Sequence, residues 1–222
     1  MTPLILLHGI GTGPGAWGPQ IEALSPEREV VAPDLVGVYA RGWEAALDEV
    51  RRLTTQHREV DLCGLSLGGL IALQIAAERS LVGERVIVCA AFRGLPPRLR
   101  RRVRAMAMIT RLMPREFLHR QLVAEIPQPY RNRALAEIAP LGPGKLARLM
   151  RQAASARIDT KSIAARALVL CGDRDEANLR LARDLASGLP GSTFALVPEA
   201  GHVANLDNAE AFTGLVAEFL AS

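Results

Sequence analysis

The sequence has few aromatic residues, few cysteines and no long hydrophobic run. Only 4% of its 222 residues are Phe, Trp or Tyr, so we expect a core of Leu, Val, Ile and Ala, as buried parallel sheets prefer. Its three cysteines, Cys63, Cys89 and Cys171, lack Cys-x-x-Cys spacing, which favours buried free thiols over a disulfide or zinc framework. No apolar segment approaches the roughly 20 residues that cross a bilayer. No secretory leader precedes the first strand either, so we expect a cytoplasmic protein with one domain-sized core and no membrane partner.

Acidic residues are scarce in one third of the chain. Residues 93–166 contain 17 Lys or Arg and only 4 Asp or Glu, whereas the other residues contain 10 and 19. Arginine supplies 25 of the 27 cations; composition explains that preference but not the local shortage of acids. The segment is therefore a solvated helical surface, a site for an anionic acyl group, or a docking surface for an acidic carrier protein. Because no aromatic residues interleave with the arginines of residues 98–104 and no recognition motif is present, we expect no nucleic-acid partner.

A glycine-flanked serine lies in the most informative stretch, residues 60–79. A short apolar run ends in Gly64-Leu65-Ser66-Leu67-Gly68, and a helix-forming run follows at once. This pattern is typical of the strand, sharp turn and helix that raise a nucleophilic serine above the edge of a parallel sheet. Small residues two positions away on each side let the strand and the helix converge. Since Gly-x-Ser-x-Gly also occurs by chance in ordinary turns, the interpretation depends on the strand before it and the helix after it.

Apolar runs that alternate with helical patterns predict an α/β fold with an open, mainly parallel sheet of about six strands and flanking helices. The predicted strands are residues 4–7, 30–35, the run before Ser66, 85–91, 167–171 and 193–197. The predicted flanking helices are residues 16–24, 42–56, the run after Ser66, 179–188 and 205–220.

After residue 92 the pattern is helical for about 75 residues, with proline or glycine at each boundary. Its apolar stripes are Leu99, Val103, Met106 and Ile109, then Phe117, Leu118, Leu122 and Ile126, and two further helices are expected over residues 130–139 and 145–156. A long connection between two strands is usually functional. We therefore divide the chain into a core of residues 1–92 and 167–222 and an inserted helical cap of residues 93–166.

Chemically distinctive residues follow four of the predicted strands. A glycine-rich loop follows the first strand, Ser66 the third, Asp173 and Asp175 the fifth, and His202 the sixth. Ligands of open parallel sheets bind outside the carboxyl ends of the strands, so all four groups are expected in one crevice. The glycine loop also suggests a dinucleotide-binding fold with Asp34 at the ribose. Its glycine spacing does not fit that fold, however, and that fold would not explain the serine turn.

The order serine, acid, histidine resembles that of the α/β-hydrolase superfamily, in particular its small capped esterases, lactonases and carbon–carbon hydrolases. The resemblance covers nearly the whole chain and rests on Leu4-Ile5-Leu6-Leu7-His8-Gly9, Gly64-Leu65-Ser66-Leu67-Gly68-Gly69, Gly172-x-x-Asp175, Gly201-His202 and Asn205-Leu206. It implies Ser66 as the nucleophile, His202 as the general base and Asp175 as the orienting acid. It also implies an oxyanion hole formed by the N–H groups of Ile10 and Leu67. Such a site needs no cofactor and no metal.

The resemblance implies a serine hydrolase that cleaves a small carboxylic ester or lactone through an acyl-enzyme on Ser66. The alternatives are a carbon–carbon bond hydrolase, an acyl-carrier-protein methyl esterase or acyltransferase, and a non-catalytic receptor of the same fold. Among the remaining candidates, His8 is expected to brace the oxyanion loop, and His57 and His119 are expected to be solvated. Trp17 is expected either to line the pocket or to lie in the core. The sequence predicts no particular oligomeric state.

Two departures from the family pattern limit the resemblance. The chain begins at what the family would call its third strand, so we expect the fold to lack the antiparallel N-terminal hairpin. After Asp34, residues 35–41 replace the family's glycine-histidine-glycine turn, which leaves that wall of the pocket undefined. Asp173 also rivals Asp175 as the acid, although the spacing from Gly172 favours Asp175.

Overall fold

The computed structural model describes residues 1–78 and 85–222, so residue 79, the last of the stretch around Ser66, lies outside the described residues. The described sheet has six strands, all parallel, in the order β2-β1-β3-β4-β5-β6. Its strands are β1 (Leu4–Leu7), β2 (Val30–Val31), β3 (Asp61–Leu65), β4 (Arg85–Cys89), β5 (Arg166–Gly172) and β6 (Thr193–Val197). The predicted open parallel sheet is therefore confirmed.

Helices cover both faces of the sheet, and four more helices lie within the connection from β4 to β5. Outside that connection they are α1 (Gly18–Leu24), α2 (Val36–Tyr39), α3 (Trp43–Thr54), α4 (Leu67–Ala77), α9 (Glu176–Gly188), α10 (Ala204–Asp207) and α11 (Ala209–Ala221). Within it they are α5 (Pro97–Thr110), α6 (Arg115–Leu122), α7 (Gln128–Glu137) and α8 (Pro143–Ala153). We call α5 to α8 the helical insertion. Among the described residues, no helix is both long and apolar enough to span a bilayer.

The core has two layers because alternate residues of each strand point to opposite faces of the sheet. On one face, Ile5 and Val86 pack with the apolar sides of α3 and α4. On the other face, Leu6 and Ile87 pack with residues of α11. Nine of the eleven residues of α4 are buried, which explains why this helix is apolar on all sides.

The three cysteines lie on the adjacent strands β3, β4 and β5 and are free and buried, as expected. Cys63, Cys89 and Cys171 are each at most 1% exposed. Burial raises the pKa of all three thiols, that of Cys171 to about 12. They therefore behave as small apolar side chains of the core.

The helical insertion packs on the segment that follows β2. Leu118, Leu141 and Leu146 form an apolar cluster with Val36 of α2 and with Ala40, the residue after it. A second contact is a hydrogen bond of 2.7 Å that the guanidinium of Arg148 donates to the carbonyl of Ala40. Within the insertion, α5 packs against α8. The segment whose structure the sequence left undefined thus contains the short helix α2.

Several predicted boundaries are wrong. The second strand stops at Val31 rather than residue 35, because Pro33 cannot donate to a ladder and the carboxylate of Asp34 accepts the N–H of Val36 at 3.0 Å, which begins a helical turn. The helix predicted over residues 205–220 is two helices, since the side chain of Asn208 accepts the N–H of Ala211 and caps α11. The helix predicted from residue 16 begins with a 3₁₀ turn, Pro14–Trp17.

The apolar stripes predicted for the insertion are only partly buried. On α5, Met106 and Ile109 are 50% and 54% exposed, while Ala107 and Thr110 are buried instead. On α6, Leu118 is buried but Phe117 is exposed. Apolar character therefore marked the packed face only in part: Leu99, Val103, Leu118 and Leu122 pack inward, whereas Met106, Ile109 and Phe117 do not.

Candidate active site

Ser66 lies in a backbone conformation that a tight turn enforces. Its φ of 53° and ψ of −112° place it between β3 and α4, a costly conformation for a residue with a side chain. A Cβ atom at Gly64 would overlap the backbone of Gly68, and one at Gly68 would overlap the carbonyl of Leu7. The glycines thus let β1, β3 and α4 meet at this point. Ser66 is the N-cap of α4 without a side-chain capping bond, so its hydroxyl is available to other partners.

The hydroxyl of Ser66 contacts the imidazole of His202, and the imidazole contacts Asp175. The Ser66 Oγ atom lies 3.1 Å from His202 Nε2, and His202 Nδ1 lies 3.0 Å from Asp175 Oδ2. The groups come together because β3, β5 and β6 are parallel and end at the same edge of the sheet. With Nδ1–H donating to the carboxylate, Nε2 presents its lone pair to the Ser66 hydroxyl. The arrangement is suited to removing a proton from that oxygen.

Asp175 is held by Asn178, a residue that the sequence analysis missed. Asp175 caps α9 by accepting the N–H of Asn178 at 3.3 Å, and the side-chain amide of Asn178 donates to both carboxylate oxygens at 2.9 Å. The same amide nitrogen lies 3.1 Å from Nδ1 of His202. In the sequence, an asparagine in the first turn of a helix after an aspartate N-cap is unremarkable, so there was no signal to find it.

Asp173, the rival acid, has a different role. It is exposed, and its Oδ1 accepts the N–H of Ala200 at 3.2 Å. This contact joins the loop after β5 to the loop that carries His202. Asp175 is the carboxylate of this pair that contacts the imidazole.

Burial and hydrogen bonding oppose each other at Asp175 and His202. Burial would raise the pKa of Asp175, but hydrogen bonds from His202 and Asn178 outweigh it and leave this pKa below the ordinary value. Burial would likewise lower the pKa of His202, but the hydrogen bond and charge of Asp175, with the charges of Glu125 and Asp207, outweigh it and leave this pKa above the ordinary value. Asp175 is therefore ionised at neutral pH, and His202 is a competent base.

His8 braces the loop after β1, as expected. Its ring is fully buried, Nδ1 donates to the carbonyl of Gly9 at 3.0 Å, and Nε2 accepts the N–H of Leu35 at 3.1 Å. Burial lowers the pKa of His8, which keeps the ring neutral so that Nε2 can accept. The hydroxyl of Tyr39 donates to the carbonyl of His8 at 2.6 Å. These contacts fix the backbone just before Ile10.

An apolar cavity of about 270 Å³ adjoins Ser66. Ile10 and Leu67, whose N–H groups are the predicted oxyanion hole, line it together with Ser66. Its apolar wall includes Leu70, Phe92 and Leu181 outside the insertion and Leu99, Val103 and Met150 from α5 and α8. Among the described residues no charged side chain lines the cavity, and the polar side chains in its lining are those of Ser66 and Asn178. The cavity therefore offers no counter-charge to an anionic group.

A polar groove of about 670 Å³ adjoins His202. Its charged side chains besides Asp175 are those of Glu125, Arg174, Glu176 and Asp207. Asp207 also accepts the N–H of Gly201 at 2.8 Å, which fixes the residue before His202. The pair Ser66 and His202 therefore lies between an apolar cavity and a polar groove.

The remaining candidates lie away from these contacts. Trp17 is fully buried and packs against Phe212 with ring centroids 6.0 Å apart, so it belongs to the core. The prediction of a solvated His119 is wrong, because the ring is partly buried and its Nε2 lies 2.9 Å from the carbonyl of Leu141. His57 is also only partly exposed. In the part of the chain that the structure describes, no cluster of His, Cys, Asp and Glu could hold a metal ion.

Comparisons with known proteins place this geometry in a family context. A family model described as the alpha/beta hydrolase family matches residues 4–215. The acetyltransferase component of the acetoin cleaving system of Pseudomonas putida is 28% identical over 99% of this chain, which spans only 63% of that protein's length. The 2-hydroxymuconate semialdehyde hydrolase of Pseudomonas sp. CF600 is 24% identical over 99% of this chain and 87% of its own. A thermophilic esterase from Thermogutta terrifontis has a similar fold, with a TM-score of 0.80 at 22% identity over 100% of this chain and 90% of its own.

Proposed function

Because the chain belongs to the alpha/beta hydrolase family, we propose that it is a serine hydrolase that cleaves a small carboxylic ester or lactone. One observation carries this proposal: the unbroken line of contacts from Ser66 Oγ through the imidazole of His202 to Asp175, with steps of 3.1 and 3.0 Å. Such a line activates a serine hydroxyl for attack on a carbonyl carbon.

In the proposed acylation step, Ser66 Oγ forms a bond to the carbonyl carbon as its proton passes to Nε2 of His202. The ionised Asp175 stabilises the imidazolium that results. The N–H groups of Ile10 and Leu67 donate hydrogen bonds to the negatively charged carbonyl oxygen, and each such donor contributes about 3 kcal/mol in comparable sites. The imidazolium then protonates the departing alkoxide, the carbon–oxygen bond of the ester breaks, and the acyl group stays on Ser66.

Deacylation uses the same groups with water as the nucleophile. His202 takes a proton from the water, the hydroxide adds to the acyl carbon, and Ser66 Oγ leaves with the returned proton. The polar groove beside His202 offers a route for this water, whereas the apolar cavity favours the acyl group. This division suits hydrolysis of a substrate with a hydrophobic acyl part.

The cavity narrows the substrate class. Since the described side chains that line it carry no charge, the substrate we propose has an uncharged, apolar acyl group rather than the anionic one that the basic segment suggested. Leu99, Val103 and Met150 of the insertion contribute to the lining. We accordingly propose that residues 93–166 act as a cap over a core of residues 1–92 and 167–222, and that the protein works in the cytoplasm without a cofactor.

A carbon–carbon bond hydrolase is the second candidate. It is favoured by the nearly full-length alignment with a 2-hydroxymuconate semialdehyde hydrolase. The two activities share the serine and the histidine and differ in the bond that is presented to them. A panel of p-nitrophenyl esters of graded acyl length, one lactone and one vinylogous diketone separates them, because each candidate predicts a different preferred member.

The proposal is tested by labelling the intact protein with a fluorophosphonate. Wild-type protein is expected to gain one adduct at Ser66, located by peptide mass spectrometry. Ser66→Ala is expected to gain none, while the exposed Ser187→Ala serves as the matched control and is labelled like the wild type. If the folded wild-type protein is not labelled, Ser66 is not an activated nucleophile, and a non-catalytic receptor of this fold becomes the better explanation.

A further inference from the structure

The end of α5 and the turn after it carry an unusual concentration of exposed apolar side chains. Seven large apolar residues are exposed among the described residues, and five of them lie within residues 106–117. We call these five the insertion tip: Met106, Met108, Ile109, Leu112 and Phe117, which are 50%, 68%, 54%, 85% and 44% exposed. Isolated exposed apolar residues are ordinary, but a contiguous set marks an interaction surface.

The first half of α5 is basic where the second half is apolar. Arg98, Arg101 and Arg102 are exposed and form no ion pair with any described residue, and the first turn of α5 contains no acidic residue. Cations near the N-terminus of a helix oppose the helix dipole and lower its stability. Arg98, which lies in the first turn, is therefore not stabilised by the helix dipole, and none of the three arginines has an ionic partner among the described residues. An anion outside the protein would give them a partner.

The opposite face of α5 belongs to the cavity beside Ser66. Leu99 and Val103 line that cavity, and Ala107 and Thr110 are buried. The helix therefore has one face toward the cavity and one face, basic and then apolar, toward solvent. Whatever occupies the outer face is separated from the cavity by a single helix.

We propose that the insertion tip, with Arg98, Arg101 and Arg102, is a docking surface for an anionic lipid bilayer. The apolar side chains enter the interfacial region while the arginines contact the anionic headgroups. This goes beyond the proposed hydrolysis, because adsorption to a bilayer needs neither Ser66 nor a substrate. It departs from the expectation of no membrane partner, which rested on the lack of a segment long enough to cross a bilayer.

Charge and shape favour an anionic bilayer on this surface over a second copy of the chain or a partner helix. A second copy of the chain would bring two basic surfaces together, which is repulsive at low salt. The most exposed tip residues, Met108 and Leu112, belong to a helix end and the turn after it, so they project rather than form a groove that a partner helix would fill. A bilayer accepts projecting side chains without any complementary shape.

The experiment is flotation of the full-length protein with vesicles of phosphatidylcholine alone or with 30% phosphatidylglycerol. We expect binding to the anionic vesicles that weakens as salt is raised, and little binding to the neutral ones. Met108→Ser/Leu112→Ser is expected to lower the partition coefficient at least tenfold. Arg98→Gln/Arg101→Gln/Arg102→Gln is expected to lower it about 100-fold, since each cation near an anionic surface contributes about fivefold. Matched controls are Leu196→Ser and Arg58→Gln/Arg180→Gln, which alter exposed residues outside the surface and should bind like the wild type.

The outcomes separate this proposal from the proposed function. Hydrolysis of a soluble short-chain ester should be unchanged in both tip variants, because none of these residues lines the cavity. Three results would overturn the proposal: no binding of folded protein to anionic vesicles, equal binding to both vesicle types, or wild-type binding by both tip variants. A dimer in sedimentation that Met108→Ser/Leu112→Ser dissociates would assign the surface to a second copy. A vesicle-negative protein that binds polyglutamate in an arginine-dependent manner would assign it to an acidic protein.

Discussion

The carboxyl-end edge of the sheet and the helical insertion differ in how fully their side chains are paired. At the edge, Ser66, His202, Asp175 and His8 each have a short hydrogen bond to another described group. On α5, Arg98, Arg101 and Arg102 are exposed and form no ion pair with a described residue, and the apolar side chains of the insertion tip face solvent. Under the proposed function, the side chains fixed by backbone geometry at the edge of the sheet carry out proton transfer. The exposed side chains of the insertion are not held by such contacts, so they can serve to approach a substrate or a surface.

Of the changes at the carboxyl-end edge of the sheet, Ser66→Ala is expected to have the largest effect on activity. We expect kcat/KM for the preferred ester to fall by about 10⁵-fold or more, because both the nucleophile and its hydrogen bond are lost. The free energy of unfolding should change by less than about 1 kcal/mol, since Ser66 makes no capping hydrogen bond in α4. Steady-state ester hydrolysis measures kcat/KM, and urea denaturation measures the free energy of unfolding. Retention of full activity in this variant would refute the catalytic role of Ser66.

The next largest effect is expected when the carboxylates after β5 are exchanged separately. Asp175→Asn should lower kcat by about 10⁴-fold, because the neutral amide favours the wrong tautomer of His202. Asp173→Asn should change it only a few-fold, since Asp173 accepts a backbone N–H and does not contact the imidazole. Comparable losses in the two variants would contradict the assignment of Asp175.

The pH dependence of kcat/KM tests the proposed role of His202 as a base. Because the pKa of His202 lies above its ordinary value of 6.5, kcat/KM should rise with pH through a midpoint above 6.5, and it should fall about tenfold for each pH unit below that midpoint. Asn178→Ala removes donors that stabilise the Asp175 carboxylate, so Asp175 should attract the imidazole proton more strongly. We expect a rate loss of about tenfold and a midpoint shifted to higher pH. A loss of rate with an unmoved midpoint would mean that Asn178 only supports the local fold.

The smallest expected effects come from the insertion. Met150→Ala and Leu99→Ala each enlarge the cavity beside Ser66, so the preferred acyl chain should lengthen, with ratios of kcat/KM between long and short p-nitrophenyl esters rising a few-fold. The exposed Leu112→Ser serves as the control and should leave the ratio unchanged. If the two cavity variants keep the wild-type ratio, the acyl group is bound elsewhere.

The parts of the fold that follow from local backbone demands could be predicted from the sequence. Gly64 and Gly68 predict the turn at Ser66, because a side chain at either position would collide with the backbone. The residues that follow the parallel strands predict that Ser66, Asp175 and His202 lie at the same edge of the sheet. Asn178 could not be found, because its importance lies in a three-way contact with Asp175 and His202 that no spacing encodes.

The insertion was harder to predict for a related reason. Its helices are recognisable, but which face is buried depends on which neighbours they pack against, so the stripe through Met106 and Ile109 was misleading. The early end of β2 shows a third limit, since the side chain of Asp34 competes with the ladder for backbone N–H groups.

The reaction rate of the three buried thiols reports how often the centre of the sheet opens. Cys63, Cys89 and Cys171 are shielded on three neighbouring strands and strongly disfavour the thiolate, so an alkylating reagent reacts with them only after those strands part. The rate of carbamidomethylation in native buffer, read by intact mass, therefore measures how often the middle of the molecule opens. No dye, tag or engineered residue is needed for that measurement.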